Sequence, residues 1–414
     1  LRSICSIFVQ RKSAIKTFFT YEGSIHFAFE VEFPWGNLKV HIEMPYSETC
    51  EPQTPESCKL NNHSNRVMMI SLDGFRMEYL DQYIKQTPYF QKMKRCNIHI
   101  PYMRSSYPTV TFPNHFSIAT GMYTESHGIV DNSFNDFELD DYFTLSRSGN
   151  SKWWLADPIW NTVRRNNKTS AVIYWPGSEN PLTDPNDPTS EALTPNYFYD
   201  YNEEDPYERR VRVLLDWVDG IHAETGEKLP SPPDLMLGYF DQPDHNGHEF
   251  GPDNGAPEIG EILAYMDETI GSLIEGLIER DQFNCINLIL VADHGMANTP
   301  VSKHFYLEDY LTNLDMENDI FVRLGVPSSI GQNLDDKNGS IWNSFSKEEV
   351  KNSLNCKLNA LSLEQNHNQP DKSLLFAKKD IPKRLHWQSS DRINEYCLLM
   401  EDEVSVQKTR ANAY

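Results

Sequence analysis

Three apolar runs in this chain each deliver acid or imidazole groups at their C-terminal ends. Residues 67–72 run into Asp73, residues 235–240 into Asp241 with Asp244 and His248 close behind, and residues 286–292 into Asp293 and His294. A lone aspartate at a strand end often does no more than cap the helix that follows. The set says more. Asp241, Asp244 and His248 crowd eight residues, and Asp293 with His294 offers adjacent oxygen and nitrogen donors on a turn tightened by Gly295. That mixture suits zinc or a similar first-row metal. A metal-assisted hydrolase also needs a nucleophile, and Thr111 stands in the run Tyr107-Pro108-Thr109-Val110-Thr111-Phe112-Pro113-Asn114-His115. A hydroxyl attacks poorly at neutral pH unless a base or a metal lowers its pKa. Thr111 is expected at the start of a helix over residues 115–120, whose positive end also favours phosphate oxygens. The plainer alternative is a threonine that merely caps that helix.

These groups converge only if the runs are neighbouring strands. Buried parallel strands read as uninterrupted apolar runs, and open α/β sheets gather ligands outside the carboxyl ends of their strands. From residue 66 onward the pattern alternates such runs with helical faces predicted over residues 79–94, 207–219 and 257–280. In the last, Ile259, Leu263, Met266, Ile270, Leu273 and Leu277 recur at helical spacing, which marks a core-facing stripe. The expected fold is therefore α/β, a mostly parallel sheet with helices on both faces. Residues 174–202, rich in Pro, Asn, Asp and aromatics, read as a loop insertion: a pocket wall or an ordinary surface excursion. Residues 1–65 read as an N-terminal segment ending in a Pro-, Ser- and Thr-rich linker, followed by one domain over residues 66–414.

Composition is globular, with 39% hydrophobic residues and a formal net charge of −23. That acidity argues against a binder of nucleic-acid polymers, because phosphate backbones demand a basic surface, and it reads first as a solvated surface. A small anionic substrate remains compatible where bound cations reverse the local field. Seven cysteines show no zinc or redox spacing, and the odd count leaves at least one unpaired within the chain. Glycosylation triplets begin at Asn62, Asn167 and Asn338. No apolar stretch reaches the roughly 18 residues of a membrane span, and the first residues are too charged for a signal peptide, so the natural N-terminus is expected upstream.

The run around Thr111, together with Leu72-Asp73-Gly74-Phe75-Arg76, Ala119-Thr120-Gly121-Met122-Tyr123, Glu125-Ser126-His127-Gly128-Ile129-Val130, Trp175-Pro176-Gly177, Pro243-Asp244-His245-Asn246-Gly247-His248 and Ala292-Asp293-His294-Gly295-Met296, closely resembles the ectonucleotide pyrophosphatase/phosphodiesterase family. Lys378-Lys379-Asp380-Ile381-Pro382 and its continuation to Trp387 look like the end of that domain in members four and five. The resemblance implies an alkaline-phosphatase-like, doubly wound sheet and a centre of two zinc ions. It places Asp73, Thr111, Asp293 and His294 on one ion, with Thr111 also the nucleophile, and Asp244 and His248 on the other, while Asp241 matches no ligand. It implies that the Asn132 amide holds a phosphoryl oxygen and that Phe112 and Trp175 line the pocket. The implied reaction is hydrolysis of phosphodiester or pyrophosphate bonds in extracellular nucleotides or related substrates, including choline phospholipids, through a phosphothreonine intermediate, in a secreted or membrane-anchored protein.

One departure qualifies this. The family takes a further histidine for the second zinc from a Gly-x-His-Gly segment, and no such segment precedes Tyr414; His304, His367 and His386 lie in other contexts. The domain is thus expected to be C-terminally incomplete, with any membrane attachment in segments outside this chain. The alternative is a non-catalytic, pseudoenzyme-like ectodomain. A phosphomonoesterase of the wider superfamily is disfavoured by the context of Thr111.

Overall fold

The three apolar runs are strands, Arg66–Leu72, Leu235–Phe240 and Ile286–Val291, and they lie side by side in parallel with Arg66–Leu72 in the middle. In register, Ser71 faces Tyr239 on one side and Val291 on the other. Each aspartate stands two residues past that row, so Asp241, Asp73 and Asp293 arrive level at one sheet edge. The Asp73 N–H on the Phe240 carbonyl (2.9 Å) carries the pairing one step beyond the strand.

The computed structural model describes residues 66–187, 189–252, 256–283, 285–311, 328–331, 354, 375–400 and 403–410 with their side chains. Strands elsewhere, among them Ile4–Val9 and Ser24–Phe33, are described by backbone alone. The main sheet has seven strands in the order Tyr197–Tyr199, Ser170–Ile173, Leu235–Phe240, Arg66–Leu72, Ile286–Val291, Ile4–Val9, Ile98–Arg104. Ile4–Val9 runs antiparallel to both neighbours; the other pairings are parallel, as expected.

Both faces of the sheet are covered. Met68, Ile70 and Leu72 pack with Leu263, Ile270, Leu273 and Leu277 of the Pro257–Glu279 helix, while Val67, Met69 and Leu237 meet Phe116, Trp160 and Trp175 on the other side. Burial of alternate residues on opposite faces is why these strands read as unbroken apolar runs. The Tyr207–Asp219 helix stands where its periodicity put it and stops at Gly220, whose φ of 71° suits glycine.

Three expectations change. Residues 79–94 form two helices, Tyr79–Gln82 and Pro88–Cys96, because Pro88 disfavours helical backbone at Thr87 and instead opens a new helix. The helix expected from residue 115 begins earlier, as Thr111–Thr120; Pro113 lies in its first turn, where a missing N–H costs nothing. Residues 174–202 are not an open excursion. Trp175, Leu182 and Leu193 are buried, Leu182 and Leu193 exchange backbone hydrogen bonds, and Tyr197–Tyr199 joins the sheet as its edge strand. Cys96 and Cys285 are disulfide-bonded, whereas Cys397 is a buried thiol. Asn62 and Asn338 fall outside the described residues; Asn167 is exposed. Among the described residues no helix is long and apolar enough to cross a membrane.

Leu273 is fully buried between its helix and the sheet. Leu273→Ala should cost about 2–5 kcal/mol, read as a lower urea midpoint at unchanged slope.

Candidate active site

The parallel register brings Asp73 and Asp293 to the sheet edge, and the next turns add the rest. Gly74 follows Asp73 with φ +65°, and a Cβ there would lie 2.9 Å from the Asp244 Cβ. A side chain would be both strained and in collision, so glycine is what lets Asp244 approach Asp73. The Asp244 N–H donates to the Asp73 carbonyl at 3.1 Å and starts the Asp244–Phe250 helix. One turn on, exposed His248 places Nε2 3.2 Å from Asp244 Oδ2, and that contact raises the His248 pKa.

His294 is the hub. Its Nδ1 lies 2.8 Å from the Gly295 carbonyl, an acceptor only, so the ring proton is on Nδ1 and Nε2 carries a lone pair. That lone pair stands 3.2 Å from each of Asp73 Oδ1, Asp293 Oδ2 and Thr111 Oγ1. Asp73 Oδ1, Asp293 Oδ2 and Asp244 Oδ1 are buried and accept no hydrogen bond. Buried acceptors facing one another without donors are costly unless a cation or proton sits between them. Ligand atoms of Asp73, Asp244 and His294 all fall within 4.8 Å of one another, and oxygen with imidazole nitrogen is a donor set that zinc accepts. The residues present therefore fit a metal.

Electrostatics agree. Burial, then the charges of Asp293 and Asp244, push the Asp73 carboxyl well above its ordinary value. Burial also works against the Asp293 carboxylate, while positive charge on His294 and then His115, together with the Gly74 N–H, would hold it down to about 2. Without a metal, a proton on Asp73 relieves the crowding.

Thr111 is the first residue of its helix, Val110 stands at the cap, and no side chain caps the helix there. The capping alternative is thus overturned: the Thr111 hydroxyl faces His294 instead. The phosphate-binding helix end also changes. The Phe112 N–H is taken by Asn132 Oδ1 (2.9 Å), Pro113 has none, and the Asn114 N–H bonds the Val110 carbonyl (3.3 Å). Because its carbonyl oxygen is so engaged, Asn132 is oriented with an NH2 that makes no hydrogen bond among the described residues.

Phe112 is half-buried against Phe143 and Trp154. Trp175 departs from the expected pocket wall: it is fully buried, and its indole N–H donates to the His115 carbonyl at 3.1 Å, behind the centre. The Asp241 carboxylate turns away to Arg210 (2.8 Å), in line with its exclusion as a ligand. Two supporting residues escaped the sequence reading. The Tyr239 hydroxyl donates to Asp73 Oδ2, and His115 Nδ1 stands 3.3 Å from Asp293 Oδ2. The available signal for Tyr239 was a polar tip inside an otherwise apolar strand, which demands a partner when buried.

Two outcomes are expected. A carboxyl whose folded pKa is raised contributes stability below its unfolded pKa and loses it as pH climbs to the folded value. In chelator, wild-type Tm should therefore fall as pH rises above about 4, and Asp73→Asn should flatten that fall while abolishing stabilisation by added zinc. Gly74→Ala should weaken zinc binding, measured by chelator competition, because the Cβ displaces Asp244.

The family model described as type I phosphodiesterase/nucleotide pyrophosphatase matches residues 67–413. Ectonucleotide pyrophosphatase/phosphodiesterase family member 3 of Bos taurus is 34% identical over 376 residues, 90% of this chain and 39% of that protein. Venom phosphodiesterase 2 of Crotalus adamanteus is 35% identical over 359 residues, 86% of this chain and 40% of that protein. The chain thus spans about two-fifths of the length of these curated relatives. Among solved structures, human ectonucleotide pyrophosphatase/phosphodiesterase 5 superposes with a TM-score of 0.68 at 26% identity, covering 84% of this chain and 81% of that one. An inactive threonine-to-alanine variant of the murine protein, in complex with AMP, gives 0.67 at 26% identity, over 84% and 82%. The sheet, the ordered strand-end acids and the family match over residues 67–413 lead to one conclusion: the chain belongs to the type I phosphodiesterase/nucleotide pyrophosphatase family.

Proposed function

We propose that this chain carries the catalytic centre of a zinc-dependent hydrolase that cleaves phosphodiester or pyrophosphate bonds in nucleotides or related small substrates outside the cell or at its surface. The observation that carries the reading is the Thr111 hydroxyl, 3.2 Å from a His294 nitrogen that already faces two buried carboxylate oxygens, Asp73 Oδ1 and Asp293 Oδ2, that accept no hydrogen bond. Asp73, Thr111, Asp293 and His294 would hold one zinc ion, and Asp244 and His248 the other. When bound, the two ions supply Lewis acidity at the attacking and departing oxygens.

The chain's own groups do the rest. Thr111 Oγ1 gives up its proton and forms a bond to phosphorus as the bond from phosphorus to the leaving oxygen breaks, the proton ending on that departing group; water then cleaves the phosphothreonine and restores the hydroxyl. The Asn132 NH2 donates to a non-bridging oxygen on which charge grows. Phe112, backed by Phe143 and Trp154, offers an apolar wall to the group that stays or leaves. The AMP complex of the murine neighbour supports a nucleotide as substrate. Disulfide-bonded Cys96 and Cys285, and the exposed acceptor Asn167, support an oxidising, extracellular setting.

Thr111→Ala should lower kcat on a thymidine 5′-nitrophenyl phosphodiester by roughly a thousandfold or more, while Thr111→Ser keeps part of it. A chelator should abolish turnover and zinc restore it. Equal activity in wild type and Thr111→Ala overturns the assignment of the nucleophile; faster hydrolysis of nitrophenyl phosphorylcholine than of the nucleotide ester moves the substrate to choline phospholipids.

A further inference from the structure

Thr111 and Asp293 reach the centre from different parts of the fold, one from the first turn of a helix and the other from the end of the Ile286–Val291 strand. One imidazole stands between them. His115 lies one turn into the Thr111–Thr120 helix and is fully buried. Its Nδ1 is 2.9 Å from the Thr111 carbonyl and 3.3 Å from Asp293 Oδ2, and its Nε2 is 2.8 Å from Ser71 Oγ. A carbonyl only accepts, so the proton is on Nδ1 and is donated to Thr111; in the neutral ring Nε2 then accepts from the Ser71 hydroxyl.

The ring is also fixed in orientation. Trp175 meets it edge-on at 5.1 Å and 79°, Tyr239 at 4.9 Å and 90°. The Trp175 indole N–H holds the His115 carbonyl, and Tyr239 in turn donates to Asp73. Asp293 is steered on its other oxygen by the Gly74 N–H at 3.2 Å. Thus Oδ1 is tethered, and the polar edge of His115 keeps Oδ2 at a set distance without a hydrogen bond that would occupy it.

Resting on the zinc phosphodiesterase reading, we propose that His115 is a positioning residue. It spaces the turn that carries Thr111 from the Asp293 carboxylate and leaves Oδ2 open for the metal, with Ser71 and Tyr239 fixing the ring. Groups behind metal ligands are commonly worth about 10–100-fold in affinity or activity. Its geometry also separates the two ring nitrogens. An asparagine amide reaches about as far as Nδ1 and can still donate to the Thr111 carbonyl, whereas a glutamine amide reaches toward the place of Nε2.

The test compares His115→Asn, His115→Gln, His115→Ala and Ser71→Ala in the full chain, with zinc affinity measured by chelator competition and kcat and KM on the nucleotide ester. His115→Gln and His115→Ala should lose about 10–100-fold in zinc affinity and in kcat at saturating zinc, with KM little changed. His115→Asn should recover most of both, and Ser71→Ala should fall between. Zinc affinity and kcat in His115→Gln or His115→Ala that match an active, zinc-binding wild type overturn this inference alone. Equal losses in His115→Asn and His115→Gln, in step with a lower Tm, reduce His115 to core packing and also overturn it. A wild type that binds no zinc overturns the phosphodiesterase reading, and this one with it. If His115→Ala does not fold, the Asn-against-Gln contrast and Ser71→Ala decide the matter.

Discussion

The structure turns on a confrontation of lone pairs. His294 Nε2 faces carboxylate oxygens of Asp73 and Asp293 and the hydroxyl of Thr111, in a buried place where the carboxylate oxygens have no donors. In a low-dielectric interior such an arrangement is unfavourable until positive charge enters it. The protein does not avoid the conflict; it holds each member in place. The Gly295 carbonyl takes the His294 ring proton, Tyr239 ties Asp73, and the Gly74 N–H ties Asp293.

What makes this tolerable is the rigidity behind it. Three parallel strands in register, each buried on both faces, leave the aspartates no freedom to retreat along the sheet. The αL turn at Gly74 lets a fourth acid, Asp244, close over the first. A site that breaks local rules needs an over-determined surrounding, and the two packed faces of the sheet provide it. The same conflict makes an acidic chain compatible with the proposed anionic substrate. The net charge of −23 would repel a nucleotide at long range, yet cations held by the clustered carboxylates of the centre would reverse the local sign.

Places in the centre and places behind it divide between neighbouring residues of the same motifs. In the Thr111 run, Thr111 points into the centre, Phe112 lies against aromatics, and His115 sits behind the centre between Thr111 and Asp293. At the end of the Leu235–Phe240 strand, Tyr239 supports Asp73, Asp241 pairs with Arg210, and Asp244 turns into the centre. Adjacent acids thus have opposite duties because Asp241 is fixed by the strand and a buried arginine, whereas Asp244 opens the following helix.

Sequence alone determined which residues end the apolar runs, and therefore that Asp73, Asp293 and His294 would meet, because parallel strands of equal burial bring their ends to one edge. It also placed the Tyr207–Asp219 helix, whose amphipathic period is local information. Tertiary structure decided which way side chains face once they arrive. That Thr111 meets His294 rather than capping its helix, that Trp175 lies behind the site, and that His115 and Tyr239 support it all depend on contacts far apart in the chain. Periodicity reports which face of an element is buried; it carries no information about which distant polar atom that face will meet.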